Sequence, residues 1–208
     1  MSKFIVVEGL DGTGKTTQIK ILADYIRGKG RDVEITAEPT SHPTGKLIRR
    51  ILSGEVPSDP WALASLFLSD RIIHNINPED GIEKMLSEGK TVISDRYYYS
   101  TFSYQGHETD LQWAMDMHFV CPEIRKPDLV LFLTMSPERC IERIRANRPD
   151  DAIEIYENTE SLTKISRQFD TVFEKLRDRE NIVYIDAWGT IKEVSQRLFD
   201  AYDRYCGD

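Results

Sequence analysis

Cysteine is scarce in this chain: three stand in 208 residues, at Cys121, Cys140 and Cys206, far apart and in no C-x-x-C pair. A small, dispersed, odd set argues against a disulfide framework or a cysteine zinc site, and it suits a reducing cytoplasm. Long apolar runs are missing as well. Nothing approaches the roughly 18 consecutive apolar residues of a membrane span. The first residues run straight into the apolar Phe4–Val7, so neither a signal nor a transit segment is expected, and no membrane partner. The four histidines, His42, His74, His107 and His118, have no partners at ligand spacing and read as non-catalytic. An excess of positive charge is also lacking. Lys and Arg number 27 against 35 Asp and Glu, a formal net charge of −8, which disfavours a general nucleic-acid binder. An acidic chain that handles phosphates must do so with local clusters of Lys, Arg and backbone N–H groups. Low-complexity tracts and linker-like boundaries are absent, and the length fits one domain over 1–208.

What is present at the start is a strand-like run, Phe4-Ile-Val-Val7, followed by Gly9-Leu-Asp-Gly-Thr-Gly-Lys15-Thr16 and then by helical apolar spacing at Ile19, Leu22, Ala23 and Ile26. Strand, glycine loop and helix are the context that a G-x-x-x-x-G-K-[ST] match requires of a phosphate-binding P-loop, here residues 9–17. Gly9, Gly12 and Gly14 let backbone N–H groups of Gly9, Leu10, Asp11, Gly12, Thr13, Gly14, Lys15, Thr16 and Thr17 turn toward phosphate oxygens, and the helix N-terminus adds positive partial charge. Lys15 is expected to reach the β- and γ-phosphates, and the Thr16 hydroxyl to ligate Mg²⁺. A bound nucleoside triphosphate follows.

Five short segments, 3–8, 32–37, 90–94, 128–134 and 182–186, read as strands apolar on both faces, with helical patterns between them. Ser58 or Asp59 caps a helix with Pro60 at its first position, Asn77-Pro78 opens another closed by Gly89, and Ser136-Pro137 starts one after the fourth strand. Thr190 to Glu193 is a capping box for a last helix carrying Val194, Leu198, Phe199 and Tyr202. The alternation predicts an α/β fold, a P-loop NTPase with a five-stranded parallel sheet flanked by helices on both faces.

Three further clusters carry chemistry. Asp95 and Arg96 end the third strand, where open α/β sheets bind ligands. Asp95 suits Mg²⁺ and Arg96 a phosphate, unless the two are a structural pair. Residues 97–106, YYYSTFSYQG, are either an aromatic pocket with Ser100, Thr101 and Gln105 as base-edge partners or an aromatic core helix. Arg143, Arg145 and Arg148 lie where a helix gives way to a polar loop. They read as a small arginine-bearing lid over about 143–157, the alternative being a solvated helix face.

Together these pieces resemble thymidylate kinase over nearly the whole chain. The resemblance is carried by VEGLDGTGKTTQ, EPT with GKLIR, LFLSDR at 66–71, SDRYYYS through YQG at 94–106, PDLVLFL with PERC, and the arginine lid. It implies phosphoryl transfer from ATP, with Mg²⁺, to dTMP, giving dTDP, in a cytoplasmic homodimer. It further implies that Phe67 stacks on thymine and Arg71 donates to O4, and that Ser100, Thr101 and Gln105 complete the base edge. Asp11 lies toward the sugar 3′-hydroxyl, Tyr104 crowds a 2′-hydroxyl, Glu38 belongs to the dTMP site, Arg96 holds the 5′-phosphate and Arg143 lies against adenine. Gly12 stands where some relatives carry arginine, which assigns transition-state charge to Arg145 and Arg148 beside Lys15 and Arg96. Ala37 replaces an arginine common before Glu-Pro, and Lys46 or Arg49 is expected to compensate. Thr134 replaces an acid that often ends the fourth strand. A kinase for another pyrimidine deoxynucleotide such as dUMP, or a non-catalytic nucleotide-binding homologue, is the competing expectation.

Overall fold

Phe4, Ile5, Val6 and Val7 offer no polar face, and they form the central strand β1 (Phe4–Gly9), whose six residues are all buried. The computed structural model of the protein describes residues 2–147 and 159–207. In it β2 (Val33–Ala37), β3 (Thr91–Asp95), β4 (Leu129–Thr134) and β5 (Ile182–Asp186) join β1 in one sheet of order β2-β3-β1-β4-β5. Every pairing is parallel. The order reverses around β1, so the crevice beyond its carboxyl end, between β1 and β3, is the expected place for a ligand. The register sets Asp95 opposite both Val7 and Ala37, which brings the ends of three strands to that crevice.

Side chains alternate between two cores, as the period of a strand demands. Ile5, Val7, Ile93, Leu131 and Leu133 face α1 (Lys15–Gly28) and α9 (Ile191–Cys206), where the Ile19, Leu22, Ala23 and Ile26 stripe is fully buried. Phe4, Val6, Val92, Val130 and Phe132 face the opposite way. They meet α5 (Tyr98–Glu108), α6 (Leu111–Phe119) and α8 (Thr159–Leu176). A smaller cluster joins α2 (Pro43–Leu52) to α3 (Pro60–Ile76) through Ile48, Ile51, Leu52 and Leu63.

The capping expectations for α3 and α9 match. Asp59, rather than Ser58, accepts the Trp61 N–H at 2.9 Å with Pro60 at the first helical position. Thr190 and Glu193 complete a reciprocal box at the start of α9. α7 (Pro137–Asn147) begins after Ser136 as its proline signalled. Two expectations are corrected. Asn77-Pro78 does not open a helix. The Asn77 side chain accepts the N–H groups of Glu79 and Asp80 in a turn, and α4 (Ile82–Ser87) starts only after Gly81. Gly89 closes it in the left-handed conformation, as expected. The strands are also not uniformly apolar on both faces, because β2 and β5 are edges and leave Ile35 and Tyr184 exposed.

Candidate active site

The P-loop begins as β1 ends. Gly14, in the left-handed region, caps α1, and Lys15 to Gln18 make its first turn. The buried Lys15 ammonium donates to the carbonyls of Gly9 at 2.9 Å and Leu10 at 3.0 Å, and lies 3.8 Å from Asp11. Burial and then the neighbouring Arg96 hold its pKa below the usual lysine value. Leu10 and Thr13 turn their side chains inward, Thr13 bonding the Leu10 carbonyl at 2.8 Å, so they can offer a phosphate only their backbone. Thr17 is exposed on the first turn. Thr16 Oγ1 donates to Asp95 Oδ2 at 3.0 Å. A hydroxyl beside a carboxylate at the mouth of a phosphate loop is a hard-oxygen donor set that fits Mg²⁺, which takes few protein ligands and completes its shell with phosphate and water.

Gly12 is packed rather than merely flexible. Its φ is +87°, and a Cβ there would come within 2.4 Å of the Cys140 carbonyl on α7. Cys140 itself is buried, with its thiol pushed up to about 12 by that burial, so it is inert packing.

Arg96 is the junction of the site. It is a non-glycine residue at φ 72°, a conformation that costs on the order of 1–3 kcal/mol and persists only where neighbours over-determine it. The neighbours are these. Its N–H bonds Val7 O at 3.0 Å, and its carbonyl accepts from Ser94 Oγ at 2.7 Å. Its guanidinium donates to Asp11 Oδ1 at 2.5 Å and to Ser100 Oγ at 2.8 Å. Ser100 Oγ in turn donates to Glu8 Oε2 at 2.8 Å, while Glu8 Oε1 accepts the N–H groups of Tyr97 and Ser100. Burial pushes the Glu8 carboxyl up, opposed by Arg96 and these donors. For Asp11 the balance reverses: burial raises it, but Arg96 and Lys15 outweigh that and hold it well below the ordinary carboxylate range.

Next to Arg96 opens a cavity of about 160 Å³ lined by Asp11, Glu38, Arg49, Phe67, Arg71, Arg96, Ser100, Tyr104 and Gln105 among others. Its far wall is a buried ionic network. Arg71 donates through Nε (2.9 Å) and Nη2 (2.5 Å) to Glu38 Oε2, through Nη2 to Thr101 Oγ1 at 3.2 Å, and through Nη1 to His118 Nε2 at 2.5 Å. His74 Nδ1 lies 2.9 Å from Glu38 Oε1 and its Nε2 2.6 Å from Thr36 Oγ1. Asp70, one residue before Arg71, accepts from Thr40 N, Thr40 Oγ1 and Thr44 Oγ1, which ties the loop after β2 to α3. The same loop is so close to α2 that a Cβ on Gly45 would lie 2.1 Å from Thr40 O.

The structure therefore brings Asp11, Lys15, Glu38, Phe67, Arg71, Arg96, Ser100, Tyr104 and Gln105 to one region, with Thr101 behind Arg71 rather than on the cavity wall. The alternatives for the aromatic run resolve by position. Tyr98, Tyr99 and Phe102 are core, Tyr97 is core with an edge on the cavity, and Tyr104 bonds Asp11 at 3.2 Å. Arg143 reaches the P-loop, its Nη1 3.3 Å from Thr13 O, and also approaches Ala187 O. Arg145 is exposed on α7, whereas Arg148 and the greater part of the expected lid lie outside the described residues. Of the two expected substitutes for the arginine missing at Ala37, Arg49 lines the cavity and donates to Thr40 O at 2.5 Å and to Pro39 O, and the exposed Lys46 does not reach it. Sequence reasoning passed over Glu8, whose signal was an acid inside a buried strand that must find donors. It set aside His74 and His118 as non-catalytic, and both are buried supports of the cavity wall; only the fold reveals their partners.

A family model described as thymidylate kinase matches residues 7–198. A probable thymidylate kinase of Methanococcus aeolicus is 38% identical over 95% of this chain and 94% of its own. One of Thermococcus kodakarensis is 38% identical over 86% of this chain and 81% of its own. A thymidylate kinase of Desulfotalea psychrophila is 38% identical over 82% of this chain and 81% of its own.

The contact at Gly12 gives a test against simple charge arithmetic. Gly12→Arg adds a cation beside the phosphates, yet it should destabilise the protein by about 1–3 kcal/mol and lower turnover, because its Cβ meets α7 backbone at positive φ. A thermal melt and a rate assay check both.

Proposed function

The chain belongs to the thymidylate kinase family and phosphorylates dTMP to dTDP, and we propose that ATP·Mg²⁺ is the phosphoryl donor, bound by the P-loop and handed to dTMP in the adjoining cavity. The observation that carries this division is the Arg96–Asp11 pair at 2.5 Å, which joins a P-loop residue to the cavity wall. In this reading Gly9 to Thr17 receive the triphosphate, with Arg143 against the adenine. Thr16 and Asp95 would hold Mg²⁺, which neutralises charge on the phosphates when bound.

In the cavity, Phe67 stacks on thymine, Arg71 and Gln105 address its polar edge, and Arg96 with Arg49 holds the 5′-phosphate. Arg49 then stands in for the arginine replaced by Ala37. Asp11 and Tyr104 flank the deoxyribose. The acceptor phosphate is already nucleophilic, so no general base is required. Catalysis is alignment in a fixed approach plus charge neutralisation by Lys15, Arg96, Arg145 and Arg148. Water exclusion falls to the arginine-bearing segment over about 143–157.

We extend the proposal to a cytoplasmic homodimer within one domain over 1–208. The three cysteines are free thiols, which suits a reducing compartment. Among the described residues no helix is long and apolar enough to cross a membrane. On α3, Leu68 and Ile72 are half-buried and Ile76 is exposed, a stripe at four-residue spacing beside the exposed Trp61. A second α3 from another copy would cover it.

Two experiments bear on the activity. ADP release from ATP·Mg²⁺ should be fastest with dTMP across dTMP, dUMP, dCMP, dGMP and thymidine, with dUMP the nearest competitor because one methyl is worth only ~1 kcal/mol. Lys15→Met should lower the dTMP rate by orders of magnitude without loss of fold; a near-normal rate would refute the P-loop assignment. Separately, Ile72→Asp should convert a dimer to a monomer in sedimentation velocity. A wild-type monomer, or an unchanged dimer in the variant, would remove α3 from the interface.

A further inference from the structure

We infer that His118 sets base specificity by pinning Arg71, so that a single N–H of its guanidinium faces the base. The inference rests on the reading above that Arg71 addresses the pyrimidine edge. A guanidinium carries five N–H donors and no acceptor. Four of those of Arg71 are engaged: Nε–H and one Nη2–H by Glu38 Oε2, the other Nη2–H by Thr101 Oγ1, and one Nη1–H by His118 Nε2. One Nη1–H remains without a partner among the described residues, and Arg71 lines the cavity.

The histidine is built to accept. Arginine can only donate, so Nε2 must be the unprotonated nitrogen, and Nδ1–H donates to Ala114 O at 2.7 Å, one turn back on α6. Burial, and then the charge of Arg71, hold its pKa well below the ordinary histidine value. Phe102 packs edge-on at 5.2 Å between ring centroids and closes the imidazole in place. Glu38 alone would fix two N–H groups on one edge of the guanidinium. His118 takes the opposite side and removes its freedom to tilt.

That freedom matters chemically. Thymine and uracil present the O4 acceptor, which one fixed donor serves. Cytosine presents an amino donor there, with its acceptor N3 displaced to one side. A pinned N–H cannot follow N3, so cytosine leaves two donors opposed. Without Nε2 a buried N–H is left with no acceptor, and the guanidinium gains both a reason and the room to swing. The preference for dTMP over dCMP then falls, while dTMP and dUMP, which share O4, keep their ratio.

The test is kcat/KM for dTMP, dUMP and dCMP in the wild type and in His118→Leu, His118→Asn, His118→Gln and Arg71→Met. Leu removes the acceptor, and the shorter Asn places its amide near the Nδ1 position rather than Nε2. Both should lower the dTMP-to-dCMP ratio by about tenfold or more, the scale of removing a hydrogen bond to a charged group. The Gln amide oxygen reaches the Nε2 position and should keep that ratio within about threefold of wild type. Should Leu fail to fold, the Asn variant carries the comparison. Equal losses for all three nucleotides in the Leu or Asn variant, with the ratios unchanged, would mean that His118 only supports the fold. That would overturn the inference. An unchanged ratio in Arg71→Met would instead overturn the base reading on which it rests.

Discussion

A guanidinium held against its own backbone preference is the constraint on which this site depends. Arg96 leaves the end of β3 at φ 72°, in a region that L side chains rarely adopt. It is kept there from several sides, by a backbone bond to Val7 of β1, by the Asp11 carboxylate, and through Ser100 by the buried Glu8. Each partner comes from a different segment: the strand before the P-loop, the P-loop itself and the first turn of α5. The bonds that hold Arg96 in this conformation therefore join those three segments to one another. In the proposed reading, a donor loop and an acceptor cavity that present two anions to each other share this one cation between them.

The same logic governs the far wall. Arg71 is 1% exposed, and a buried guanidinium is tolerated only when its charge is paired and most of its donors are met. Glu38, Thr101 and His118 take four of its five N–H groups, His74 and Thr36 brace Glu38, and Asp70 fixes the loop that carries Glu38 to the helix that carries Arg71. Removing one member would strand a buried charge without its partner, which costs more than the packing of that side chain is worth. This wall is held by ionic and hydrogen-bonded pairs, whereas the side of the cavity near Leu52 and Phe67 is apolar packing.

Much of this was legible from the chain. The P-loop declares itself because its chemistry is local, and β1 and β4 are unmistakable because central strands are apolar almost without interruption. The edge strands misled because their outer halves meet water. Asn77-Pro78 carried a helix-start signal, but the same asparagine oxygen serves a turn, and only the packing of Gly81 against Asn77 decides between them. Three successive tyrosines were ambiguous because α5 is covered on several sides, by the sheet, α6 and α8, so no exposed stripe marks its orientation. Glu8, His74 and His118 work through partners 36 to 92 positions away or through a turn of their own helix. Local pattern cannot supply such pairings. Gly12 is the opposite case: its place in the motif drew attention to it, and the carbonyl of Cys140 explains why a glycine stands there.

The claim that one shared cation couples donor loop to acceptor cavity is tested most directly by a double-mutant cycle on kcat/KM for dTMP with Asp11→Asn and Arg96→Lys. If the pair acts as a unit, either change alone should remove most of the activity and the second should add little, giving a coupling of about tenfold or more. Losses that multiply independently, within about twofold of the product of the single effects, would contradict it.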